Sequence, residues 1–227
     1  VKIPLIVYLA FYTIFLPIVV GAIRWRRVTR AHRLLLGWLV ATQVASLLGR
    51  VWVLWIDRTN NMIVSYAFLP VQSTLVLLAV AEWQVQPVAR RTVRYCIPLL
   101  IVWWALVLTF FEDRSNFSVL GGPILGLVVL AASLFALVSR VALDDEAVLR
   151  SSAAWILAGV AVYFATNATL TILQAVLTSR QDWPRLVQST ILKSYVEIIA
   201  MLLITWGYIW ARPASSFGTS SSPSPSR

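Results

Sequence analysis

Seven predominantly apolar stretches run along the chain, separated by short polar segments. A helix crossing a hydrocarbon core about 30 Å thick needs about 20 such residues. The pattern predicts helices over Ile3–Ile23, Leu34–Ile56, Met62–Gln84, Tyr95–Phe111, Phe117–Ser139, Ser152–Leu177 and Val187–Trp210. The expected fold is therefore all-α: an integral membrane bundle of seven transmembrane helices over residues 1–211. From Arg212 to Arg227 the sequence turns to Ser, Pro, Gly and Thr, and a disordered tail is expected there because such residues bury no apolar surface. The chain opens at Val1 with no Met, as a fragment or a processed product would. The first stretch is long for a signal peptide and lacks a small-residue cleavage site.

The polar segments fix an orientation. Arg24, Arg26, Arg27, Arg30, Arg33, Arg90, Arg91, Arg94, Arg140, Arg150, Arg212 and Arg227 fall on one side of the predicted bundle. Lys2, Arg58, Arg114, Arg180 and Arg185 fall on the other. The positive-inside rule then puts the N-terminus outside and the C-terminus in the cytoplasm. Trp25, Trp55, Trp83, Trp183 and Trp210 lie near predicted helix ends, where indole rings anchor at headgroup level.

Composition agrees with this pattern. Of 227 residues, 59% are hydrophobic and only 12% charged, against about 25% charged in soluble domains. Mean hydropathy is +0.81. The formal net charge of +10 would point to nucleic acid in a soluble protein. In a membrane protein it implies cytoplasmic arginines meeting anionic lipid headgroups, and no nucleic acid partner is expected. The bacterial cytoplasmic membrane is the expected location.

Catalytic constellations are missing from the sequence. The single histidine, His32, reads as a solvated residue of the basic first loop. It leaves no pair for haem ligation within the bundle, no HExxH motif and no Ser-His dyad inside a span. The lone Cys96 rules out an internal disulfide. Asp144, Asp145 and Glu146 read as a solvated turn with local ion pairs. The protein is thus not expected to be an enzyme or to carry a metal or other cofactor.

Polar residues inside the spans carry the functional expectation. A charge in the bilayer interior costs about 2.5–3.5 kcal/mol on insertion scales. Arg50, Lys193 and Glu197 fall inside predicted spans. Gln72 and Asn167 lie at matching depth, with Gln43 and Gln174 nearby. Arg50, Gln72, Asn167, Lys193 and Glu197 define a polar patch expected in the outer half of the bundle. Three readings stand. In one, Lys193 and Glu197 neutralise each other along their helix while Arg50 snorkels to the surface. In the second, the patch is a pocket open to the outside for a small anionic or zwitterionic ligand, or the place of a proton-linked step. In the third, it contacts a partner subunit. Gly122 and Gly126, and Ala154, Ala158, Ala161 and Ala165, are spaced for close helix packing. Pro17, Pro70, Pro98 and Pro123 are expected to kink the helices.

Seven spans and a lysine in the last invite comparison with microbial rhodopsins. In that family an aspartate stands four residues before the lysine, where this chain has Ser189 before Lys193. A counter-ion carboxylate in the third helix is replaced here by Gln72. Retinal is therefore not expected. The stretch Tyr66, Pro70, Gln72, together with Trp155–Tyr163 and Ser189–Trp206, resembles uncharacterised seven-helix integral membrane proteins of bacteria, across most of the chain. The resemblance implies a sensor-input type of module with no assigned activity.

The expectation is a sensor or accessory membrane protein that binds a small ligand, or a membrane or cytoplasmic protein partner, through the polar patch. A small secondary transporter and a structural subunit of a larger complex are the alternatives.

Overall fold

A computed structural model describes residues 4–56, 62–112, 118–143 and 151–211. The expected tail from residue 212, the acidic run at 144–146 and the basic residues Lys2, Arg58, Arg114 and Arg150 lie outside the described residues. The fold is all-α. Its helices are α1 (Leu5–Thr13), α2 (Phe15–Ile23), α3 (Arg30–Trp55), α4 (Met62–Trp83), α5 (Pro87–Phe110), α6 (Gly121–Leu143), α7 (Ser152–Ser179) and α8 (Trp183–Trp210). With α1 and α2 taken together, seven of them are long and apolar enough to cross a membrane.

The division between α1 and α2 has a local cause. Pro17 has no N–H for the Thr13 carbonyl and its ring crowds that group, so the helix is interrupted one turn before it. Pro70 and Pro98 are carried inside α4 and α5 without such a break. Pro123 sits in the first turn of α6, where a missing N–H costs nothing.

Three helices begin earlier than hydropathy predicts. The fourth span starts at Pro87 rather than Tyr95, the second at Arg30 rather than Leu34, and the last at Trp183 rather than Val187. In each case the extra turns carry arginine, which interrupts the apolar run that hydropathy reads. Their signals are the N-terminal ones: Pro in the first turn of α5 and α8, and the Asp182 carboxylate accepting from the Arg185 N–H at 3.3 Å. Arg90, Arg91 and Arg94 thereby stand on α5 itself, where Arg94 pairs with Glu82 at 2.7 Å.

The helices pack in a ring with α4 and α7 most enclosed. α8 lies against α1, α2 and α7; α7 against α6; and α4 against α3, α5 and α6. Only Ile97 and Val107 of α5 are buried, so that helix is peripheral. The core is filled by Leu35, Leu39, Val76, Val80, Ile156, Leu157 and Ile204. The tightest crossing is between α7 and α8. A Cβ built on Gly159 would stand 2.7 Å from Ile204 Cγ1 and 2.8 Å from the Ala200 carbonyl oxygen. One built on Gly207 would strike Ile156 and stand 2.9 Å from the Ser152 carbonyl oxygen. Each glycine receives the isoleucine of the opposing helix, which lets the two backbones approach.

The arginine-rich end is closed by a buried polar network, and here the structure corrects the reading of His32. Far from being a solvated loop residue, His32 is only 5% exposed. Because α3 starts at Arg30, His32 is turned into the bundle while Arg30 and Arg33 face out. Thr29 Oγ1 is 2.7 Å from His32 Nδ1, and His32 Nε2 is 2.7 Å from Ser152 Oγ. Ser152 donates onward to the Gly207 carbonyl at 2.7 Å, and the Tyr208 hydroxyl donates to the His32 carbonyl at 2.7 Å. One neutral tautomer satisfies the whole relay, with Thr29 donating to Nδ1 and Nε2–H donating to Ser152. Trp83, expected as an interfacial anchor, is also buried here, edge-on to the His32 ring at 5.4 Å. Arg24 donates to the terminal carbonyls of Tyr208, Ile209 and Ala211, capping α8.

Candidate ligand-binding cavity

At the other end the described residues surround a cavity. Met62, the first residue of α4, and Ser118, just before α6, stand at the mouth of this cavity of about 330 Å³, which reaches inward to Trp38 of α3. Its mouth is held by Glu112. That carboxylate accepts from the Leu120 and Gly121 N–H groups at 2.7 and 3.0 Å, at the N-terminus of α6, and from the Ser118 hydroxyl.

The floor is aromatic. Trp38 meets Tyr163 edge-on, with ring centroids 5.3 Å apart, and Phe164 at 5.6 Å. The walls are polar. Tyr163, Asn167 and Thr171 follow one another at four-residue spacing and so form a stripe along one face of α7. Ser65, Gln72 and Ser73 come from α4, and Lys193 from α8.

These wall groups differ from other polar residues in the spans. Thr42, Ser46, Thr166 and Thr169 donate to the carbonyl four residues earlier, the usual way a hydroxyl is satisfied in an apolar helix. Among the described residues, no such bond is made by Ser65, Ser73 or Thr171, and no hydrogen bond is made by the Gln72 amide. A polar group in an apolar surround without a partner carries a desolvation cost. Ser65, Gln72, Ser73 and Thr171, which escape local pairing, all face the cavity.

The predicted patch is reached in part. Gln72, Asn167 and Lys193 line one cavity. Glu197 does not line it. It stands one turn beyond Lys193 on α8, with its carboxylate 3.9 Å from the ammonium. Arg50 does not join the patch: it is exposed, and its guanidinium lies over the Phe11 ring of α1, 3.7 Å from the centroid. The reason is helical phase. Arg50 follows Trp38, the α3 residue that faces the cavity, by twelve positions, which turns it about 120° away. Depth also differs from the sequence estimate. With α8 starting at Trp183, Lys193 lies about 15 Å along the helix, whereas Arg50 is about 8 Å from the end of α3. The patch therefore sits nearer mid-bundle than expected.

Gln43 and Gln174 are structural. Gln43 donates to the Phe11 carbonyl at 3.1 Å and Gln174 to Thr190 Oγ1 at 3.3 Å. Sequence reasoning missed Trp38, Tyr163, Ser73 and Thr171. The four-residue spacing of Tyr163, Asn167 and Thr171 was the signal available for two of them.

Among the described residues no three His, Cys, Asp or Glu side chains gather as a metal site would require. Lys193 is the one charged side chain among the described cavity-lining residues. The arrangement offers hydrogen bonds, one cation and a ring face, which is the equipment of a binding site.

No model of a known protein family, no curated protein and no solved structure matches the chain.

Proposed function

We propose that the protein is a multi-pass integral membrane protein of the bacterial cytoplasmic membrane, with its N-terminus outside and its C-terminus in the cytoplasm. In this reading it is a sensor or accessory module that takes a small polar ligand into the cavity and passes the change to a protein partner. The observation that carries the reading is the set of cavity-facing groups without partners, Gln72 above all. A polar cavity lined this way in an apolar bundle is stabilised by an occupant that supplies the missing hydrogen bonds. Its mouth lies at the end opposite the arginines, which the positive-inside rule places outside.

Transport is the weaker reading. Between the cavity and the arginine-rich end stand the fully buried Leu35, Leu39, Val76, Val80 and Ile204, followed by the His32 relay. A cavity separated from the arginine-rich end by this packed layer favours reception over passage.

The test is a thermal-unfolding screen of the detergent-solubilised protein with small anions, zwitterions and uncharged hydroxyl compounds. A true ligand at a hundredfold excess over Kd adds about 2.7 kcal/mol. The stabilisation should be present in the wild type and lost in Gln72→Leu, which keeps side-chain size and removes the amide. If no compound of the three classes stabilises the wild type, the reading fails.

A further inference from the structure

We infer that the ligand of this cavity is a small zwitterion, an α-amino acid with an apolar or aromatic side chain. The inference rests on the cavity being a ligand site and narrows what it receives.

The first argument is charge balance. Lys193 faces the cavity and Glu197 stands behind it at 3.9 Å, so the built-in formal charge of the pair is zero. An anion entering beside Lys193 leaves the site with a net negative charge deep in an apolar bundle, and a cation leaves it positive. Either outcome is penalised by the low polarisability of the surroundings. A zwitterion leaves the total at zero while still presenting a carboxylate to the lysine.

The second argument is the division of donors and acceptors. The Lys193 ammonium offers donors only, which suits a carboxylate. The Asn167 amide nitrogen donates one of its two hydrogens to the Tyr163 carbonyl at 3.0 Å, so the amide keeps its carbonyl oxygen as an acceptor for a ligand beside one remaining donor. The Gln72 amide supplies a second acceptor together with a donor. Amide oxygens and hydroxyls suit an ammonium, so the walls carry partners for both ends of an amino acid.

The third argument is shape. The Trp38, Tyr163 and Phe164 rings form the floor, and an aromatic or branched apolar side chain fits such a surface. A volume of about 330 Å³ lies at the low end of small-ligand cavities, large enough for one amino acid and small for a peptide.

The experiment uses the full chain in detergent. Its thermal midpoint is measured with each of the twenty standard L-amino acids. For every one that binds, the matching carboxylic acid without the ammonium and the matching amine without the carboxylate are compared. An apolar or aromatic amino acid should raise the midpoint, and each matched fragment should bind at least about tenfold more weakly, because half of the polar partners are then left unsatisfied. In Glu197→Gln the lysine loses its counter-charge, and the preference should move toward the carboxylic acid fragment. If that variant does not fold, the wild-type series alone decides. A carboxylic acid that binds as tightly as its parent amino acid overturns the zwitterion assignment and leaves the cavity a ligand site. So does stabilisation by other polar compounds with none by amino acids. No stabilisation by any compound overturns both.

Discussion

The Glu197 carboxylate stands 3.9 Å from the Lys193 ammonium, one turn along α8, yet only the lysine reaches the cavity. In the proposed reading the acid would act on a ligand through the lysine. Removing one partner of such a pair strands a charge inside the bundle, at a cost of about 3–5 kcal/mol for fully buried pairs. Lys193→Met and Glu197→Gln should each lower unfolding stability, and the double variant should recover most of the loss. A double-mutant cycle on equilibrium unfolding measures the coupling.

The α7–α8 crossing gives a second expectation. Gly159→Ala and Gly207→Ala each push a methyl group against backbone carbonyl oxygen, at 2.8 and 2.9 Å, which no rotamer change relieves. Each should cost about 1–3 kcal/mol, the usual penalty for overpacking. Gly126→Ala meets only ordinary contacts, the nearest being Ala168 Cβ at 3.4 Å, and should be close to neutral for stability. Thermal midpoints of the three variants check the order.

These glycines mark where sequence reading stopped. Seven spans were legible because apolar run length answers directly to bilayer thickness. The Gly122/Gly126 spacing was also visible, but its residues line the cavity, while the closest approach is made by Gly159 and Gly207, which share no motif because they lie on different helices. The burial of His32 departs from the sequence expectation for a related reason. Its burial depends on α3 beginning at Arg30, and hydropathy does not see polar first turns. Gln72, Asn167 and Lys193 could be matched by depth from the sequence. Facing could not, and facing is what separates them from Arg50.

The buried relay at the arginine-rich end predicts its own pattern. Ser152→Ala leaves His32 Nε2 and the Gly207 carbonyl without their shared partner and should cost about 1–3 kcal/mol. Tyr208→Phe removes one hydrogen bond to the His32 carbonyl and should cost about 1 kcal/mol. Neither residue touches the cavity, so ligand-induced stabilisation should persist in both. Unfolding curves with and without ligand separate the two effects.

Arg50 supplies a negative control. It lies against Phe11 and not in the cavity, so Arg50→Gln should leave ligand affinity unchanged within about twofold, since surface substitutions away from a site cost little. Titrating the thermal shift of this variant beside the wild type tests it. A large loss of affinity would bring Arg50 back into the site.

In the proposed reading a small ligand reaches the polar cavity from the end opposite Arg24, Arg90 and Arg94. Cys96 is the one cysteine of the chain and lies on α5, away from the cavity, so Cys96→Ser gives a silent background. In that background Thr171→Cys puts a thiol on the cavity wall, and Val80→Cys puts one in the closed core. The measurement is the rate of modification by a small membrane-impermeant thiol reagent, added from outside to intact cells. The residue-171 thiol should react, a stabilising amino acid should slow the reaction in proportion to its occupancy, and the residue-80 thiol should stay unmodified. A residue-171 thiol that does not react from outside, or that reacts at the same rate with the amino acid at saturation, would contradict that reading.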